Sequence, residues 1–200
     1  MADEKVSRER SALYPVITIN ECLEIVETIN RIGGKLVSIE VIAKEIGMST
    51  KTNSFRAKIS TLKQFGFLLG TGTTLQLSDL SKQYLYPVDD KSKSEILTKC
   101  FLNAPLYQKL ASRYENQAIP NKERLSNILF QEHSITKAAK DIAAEQFLKS
   151  AEQIGVLKNG ILILENEEPI SNQGQAACTT TNNDMTAEEH SEPNVRSVSN

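Results

Sequence analysis

Caps and glycine stops cut the first half of this chain into short helical and extended pieces, and their order leaves few folds open. Thr18-Ile19-Asn20-Glu21 has capping-box spacing, in which hydroxyl and carboxylate each take the other residue's backbone N–H. Ile17 and Cys22 stand at the staple positions of that cap. Cys22, Ile25, Val26, Ile29 and Ile32 then recur at helical spacing until Gly33-Gly34 ends the run. "KLVS" reads as a short strand, and Ser38 caps a second helix, "IEVIAKEIG", stopped by Gly47. Ser49 or Thr50 opens a third helix that runs to Phe65, with Gly66 as its terminator. "FLLGTGTTLQLS" alternates apolar and polar on both sides of Gly70-Thr71-Gly72, the pattern of a β-hairpin. "SDLSKQYLYP" adds one short helix, closed by Pro87. Helix, short strand, helix, helix, hairpin is the order of a winged helix-turn-helix.

The second half repeats this order more loosely. "SKSEILTKCFLN" is a linking helix, and Pro105 opens another, "PLYQKLASRY". "NQAIP" is a short strand candidate. Asn121 caps "NKERLSNILFQEHSI", and Thr136 caps a long helix ended by Gly155. "VLKNGILIL" carries Asn159-Gly160, the strongest short hairpin signal. The expected fold is mostly α with small hairpin wings: two winged helix-turn-helix units joined by a helix. Its boundaries are 1–13 disordered, 14–87 first unit, 88–104 linking helix, 105–164 second unit and 165–200 disordered acidic tail. The tail is rich in Asn, Thr, Ser and Glu and has too few large apolar groups to offset its ordering entropy.

Several features together resemble a prokaryotic tandem winged-helix family catalogued only as a domain of unknown function. They are Tyr14-Pro15, the helix ending in Gly33-Gly34, "LKQFGFL" at 62–68 and "LSDLSKQYLYP" at 77–87. The likeness covers residues 14–110. It implies the fold and a DNA-binding role, and brings no catalytic residues with it.

Composition agrees with a soluble globular chain: of 200 residues, 40% are hydrophobic and 24% charged. No apolar run approaches the ~18 residues of a membrane span. The start, "MADEKVSRERSALYP", lacks an apolar secretory core. A cytoplasmic protein is expected. Cys22, Cys100 and Cys178 are scattered and form no CxxC pair, so they read as reduced thiols, the first two as core hydrophobes. The net charge of −2 hides a split: residues 14–87 carry eight basic against six acidic groups, residues 166–200 one against six. Without the tail the chain is mildly basic, which permits an anionic partner.

The third helix is the part that speaks to function. Phe55, Ile59 and Leu62 form a narrow core stripe; Asn53, Ala57, Ser60 and Gln64 lie opposite, with Thr61 at their edge. Arg56 and Lys63 occupy one shoulder, Lys51 and Lys58 the other, and no acid occurs from Ser49 to Phe65. Short amide and hydroxyl side chains suit base edges, and flanking cations suit the two phosphate backbones of a major groove. In a helix-turn-helix the N-terminal half of this helix enters the groove. The expected DNA-contacting set is therefore Thr50, Lys51, Thr52, Asn53, Arg56, Lys58, Ser60, Lys63 and Gln64. The wing, "LLGTGTTLQLS", argues the other way, since it has no cation to grip a backbone.

No enzyme is expected. "GTGT" at 70–73 lacks the GK[ST] end of a phosphate loop. His133 and His190 have no ligand-spaced partners, no nucleophile elbow occurs, and neither cofactor nor metal is implied. His133, near a helix end, is expected to make a local hydrogen bond or to favour the helix dipole. On the last long helix Asp141, Glu145, Lys149 and Glu152 mix their charges, which fits packing or dimerisation better than phosphate contact. The reading is thus a transcriptional regulator that contacts double-stranded DNA, as a homodimer. The rival is a non-enzymatic adaptor that uses the same units to hold protein partners.

Overall fold

The first helix, α1 (Ile19–Ile32), begins where the capping box places it. Thr18 Oγ1 accepts from the Glu21 N–H at 3.3 Å, and the Glu21 carboxylate accepts from the Thr18 N–H at 2.8 Å. Ile19, Cys22, Leu23, Ile25, Val26 and Ile29 are buried along one side, and Gly33 closes the helix in the left-handed region at φ 75°. This computed structural model describes residues 10–33 and 36–164, all within one compact unit, Met1–Glu167. Gly34, Lys35, Cys178, His190 and the tail expected to be disordered from residue 165 lie outside the described residues, as do the first nine.

Strand β1 (Val37–Ser38) leads directly into α2 (Ile39–Glu45), capped by Ser38. Helix α3 (Asn53–Gln64) starts later than Ser49 or Thr50. Thr52 is its cap: the hydroxyl accepts from the Phe55 N–H at 3.3 Å and donates to the Ser49 carbonyl at 2.8 Å. A closed turn, not a first helical turn, therefore occupies residues 49–52. Strands β2 (Leu68–Leu69) and β3 (Thr74–Leu77) form the expected hairpin, and β1 joins it in the antiparallel order β1-β3-β2. Val37 pairs with Leu75 and Leu68 with Leu77. That register turns Val37, Leu68 and Leu75 into the core.

Gly70 shows why the wing needs glycine. Its φ is +108°, and a Cβ there would stand 2.9 Å from the Thr74 carbonyl oxygen. Backbone cannot step aside as a side-chain tip can. Gly70→Ala is expected to cost about 1–3 kcal/mol and to loosen β2 from β3, read by chemical denaturation and amide exchange at Leu69.

Four more helices follow: α4 (Asp79–Leu85), α5 (Asp90–Asn103), α6 (Pro105–Tyr114) and α7 (Lys122–Glu132). Pro105 takes the first position of α6, where its missing N–H costs nothing. Asn121 caps α7, accepting from the Arg124 N–H at 2.9 Å. The last helix, α8 (Lys140–Gln153), begins four residues beyond the cap expected at Thr136. The Thr136 carbonyl accepts from both Ala139 and Lys140, which makes a separate turn. Strands β4 (Leu157–Lys158) and β5 (Ile161–Leu162) close the second hairpin on Asn159 and Gly160, at φ 52° and 79°. Both angles suit a type I′ turn. "NQAIP" keeps one isolated bridge, Ala118 with Ile161, and Glu115 just before it makes another with Leu162. The described protein is thus mostly helical with small antiparallel strand pairs, and winged-helix-like.

The two halves share one continuous core. Phe65 stands edge-on to Tyr107 at 5.6 Å, Tyr107 edge-on to Phe147 at 5.0 Å, and Phe101 packs 5.5 Å from Phe147. Cys22 and Cys100 are buried in the same core as free thiols. Burial raises both: Cys22 well above its ordinary value and Cys100 to about 12, so both stay protonated and unreactive. The first N–H groups of α1, which no helix satisfies internally, are taken by α8. Ile19 donates to Ser150 Oγ at 3.2 Å and Asn20 to Gln153 Oε1 at 3.3 Å.

On the outer side of α8, Glu145 joins Lys122 of α7 and Lys149, each at 2.6 Å. Hydrogen bonds from Lys122 and then Lys149 hold its carboxyl at about 2, below the ordinary 4.5. A folded-state value that is depressed gives stability present above the unfolded value and lost as pH falls through the folded one. Wild type should therefore lose melting temperature relative to Glu145→Gln as pH drops from 4.5 toward 2, and the two curves should run parallel above that window.

Candidate nucleic-acid interface

Helix α3 turns Phe55, Ile59 and Leu62 into the core, fully or almost fully buried. That fixes which side faces out. Lys51, Thr52, Asn53 and Arg56 are exposed, Thr50, Ala57, Lys58 and Ser60 are half-buried, and Lys63 is exposed. Among the described residues, Lys51, Arg56 and Lys58 take part in no ion pair or hydrogen bond through their side-chain cations. An N-terminal turn with unpaired cations on a short polar helix start is a competent phosphate-binding arrangement.

The far half of the helix departs from the sequence reading. Gln64 does not project outward: it is only 8% exposed, and its Nε2 donates to the Tyr14 carbonyl at 3.4 Å. Thr61 is fully buried, its Oγ1 accepting from the Val16 N–H at 3.0 Å and donating to the Ala57 carbonyl at 3.0 Å. Tyr14–Val16, at the start of the first unit, therefore lie against the outward ridge, which removes Gln64 from any groove. Residues 10–13 are likewise not loose. Ala12 donates to the Ser134 carbonyl at 2.9 Å, and Ser11 Oγ accepts from the Thr136 N–H at 3.2 Å.

Thr52 also changes role. Its hydroxyl is committed to the cap and to Ser49, so it shapes the turn and leaves Asn53 as the first amide of the helix free to reach a base edge. Lys63 reaches the other way, donating from Nζ to the Gly70 carbonyl at 2.8 Å. The wing, cation-free in sequence, thereby gains a positive charge at its turn. Sequence reasoning missed this because a lysine seven positions upstream gives no signal that it folds back onto a hairpin. It also missed Ser54, exposed on the first turn with its hydroxyl 3.3 Å from that of Thr52. On α2 Glu40, Lys44 and Glu45 are exposed, so the charge there is mixed.

In the second half, the mixed face of α8 is engaged as described. Lys140 donates to Asn127 Oδ1 at 2.5 Å, and the C-terminal turn of α8 meets α1. His133 caps α7 through its backbone N–H to the Leu129 carbonyl. Burial lowers its pKa from the ordinary imidazole value, against a raising pull from Glu132.

Fold and site together define a mostly helical, winged-helix-like protein in which the turn before α3 is exposed and carries a cation, Lys51. No family model, no curated protein and no solved structure matches the chain. No described helix is long and apolar enough to cross a membrane.

Proposed function

We propose that the protein binds duplex DNA through the turn and N-terminal half of α3, as a transcriptional regulator. One observation carries this reading: in the acid-free stretch Lys51–Arg56 every residue but the core Phe55 is exposed, and its two cations are unpaired among the described residues, at the end of the helix that a helix-turn-helix inserts first. Lys51, Arg56 and Lys58 supply phosphate contacts, Asn53 with Thr50 and Ser60 the contacts at base edges, and Lys63 a contact at the wing. Eight basic groups against six acidic ones in residues 14–87 neutralise few phosphates, so a homodimer is proposed as the binding form.

The test is binding of mixed-sequence duplex across a salt series. A DNA-binding protein gives an association constant that falls linearly as salt rises on logarithmic axes. No binding at the lowest salt, by the wild-type chain or by any folded variant of it, overturns the proposal.

A protein-protein adaptor is the second reading, favoured by the elbow between α4 and α5. There Tyr86 is 69% and Val88 93% exposed, beside a groove that includes Pro87 and Ile96. Under that reading the full chain ignores duplex DNA, and Val88→Asp abolishes partner capture.

A further inference from the structure

We propose that Ser11–Val16 is a displaceable strap that limits how much of α3 a duplex can reach, a regulation that rests on the DNA-binding reading above. The strap has two attachments. At one end Ser11 and Ala12 bond to the loop between α7 and α8 through Thr136 and Ser134. At the other, Val16 and Tyr14 bond to Thr61 and Gln64 on the outward ridge of α3. Within the second attachment Pro15 is buried, which keeps the strap down by default. The capping box at Thr18 holds α1 independently of it, so the strap can lift without unwinding that helix.

The ridge attachment is imperfect in a way that favours exchange. Gln64 Oε1 is buried with no hydrogen-bond partner, and the Nε2 bond to Tyr14 is long at 3.4 Å. A buried acceptor left without a donor carries a desolvation penalty that release to water or to a base edge removes. Lifting the strap uncovers Thr61 and Gln64, which continue the line of Asn53 along the helix. Those groups are neutral. Their exposure extends contact with base edges and adds no phosphate contact. The far attachment belongs to the second half, so whatever moves the loop at Ser134–Thr136 changes the reach of α3.

The full chain separates these ideas. Ala12→Pro removes the N–H that bonds Ser134, at a site remote from α3; Thr61→Val removes the acceptor of Val16 with little change of shape. Anisotropy with a mixed-sequence duplex is measured across salt, with amide exchange at Val16 as the readout of strap release and circular dichroism confirming the fold. We expect both variants to exchange Val16 faster and to bind about three- to tenfold tighter. The salt slope should stay at the wild-type value, because no cation is uncovered. Wild type that binds with a negative slope, alongside variants that release Val16 and bind no tighter, overturns the strap and leaves the DNA reading standing. Absence of binding by all three proteins overturns both. Variants that bind where wild type does not establish full autoinhibition.

Discussion

Lys51→Glu combined with Arg56→Glu is expected to lower affinity for mixed-sequence duplex by roughly ten- to hundredfold at low salt. Both side chains are exposed beside the N-terminal turn of α3, and neither takes part in an ion pair among the described residues. Their replacement therefore breaks no ion pair among the described residues, and stability should move little. Each cation that meets a phosphate contributes about 0.9 to the logarithmic salt slope. Losing two should flatten the slope by about 1.8, and the new carboxylates add repulsion of the same order. Gln64→Ala is the matched control, since Gln64 lies under Tyr14: it should leave the slope unchanged. An unaltered affinity in the double variant, with the fold intact, would remove α3 from the binding surface.

Phe147→Ala is expected to cost about 3–5 kcal/mol, a large part of the 5–15 kcal/mol typical of a domain. Phe147 is fully buried and meets both Phe101 and Tyr107, and Tyr107 in turn meets Phe65. Phe65 is the C-cap of α3, so the aromatic chain runs from the second half into the helix-turn-helix. The substitution is therefore expected to weaken both halves in one transition. Urea unfolding followed by circular dichroism, with amide exchange at Ile25 in α1 and Ala144 in α8, checks this. Separate transitions, with Ile25 as protected as in wild type, would show the halves to be energetically independent. Ser150 and Gln153 argue against that outcome, because the start of α1 is satisfied by α8 side chains.

Much of the fold was legible before any coordinates. The capping box at Thr18, the stop at Gly33, the Asn121 cap and the Asn159-Gly160 turn each rest on a hydrogen bond or a φ value set within a few residues. The two helix starts that moved failed for a local reason as well. Ser49 and Thr136 are sound caps in isolation, but each sits in a turn that competes with the first helical turn for the same N–H groups.

The candidate site divides along the same line. Periodicity alone determined that Phe55, Ile59 and Leu62 face inward and that a cationic, acid-free helix faces out, because side-chain direction on a helix follows from 3.6 residues per turn. Only the tertiary structure decided how much of that outward face is open. The covering of Thr61 and Gln64 by Tyr14–Val16, the reach of Lys63 to Gly70 and the satisfaction of α1 by Ser150 are all contacts between distant positions. Each depends on where a segment arrives in space, which no residue's own propensity encodes. The open face of α3 is what remains after the strap is laid down, and the lead-in's own residues carry no local sign that it ends there.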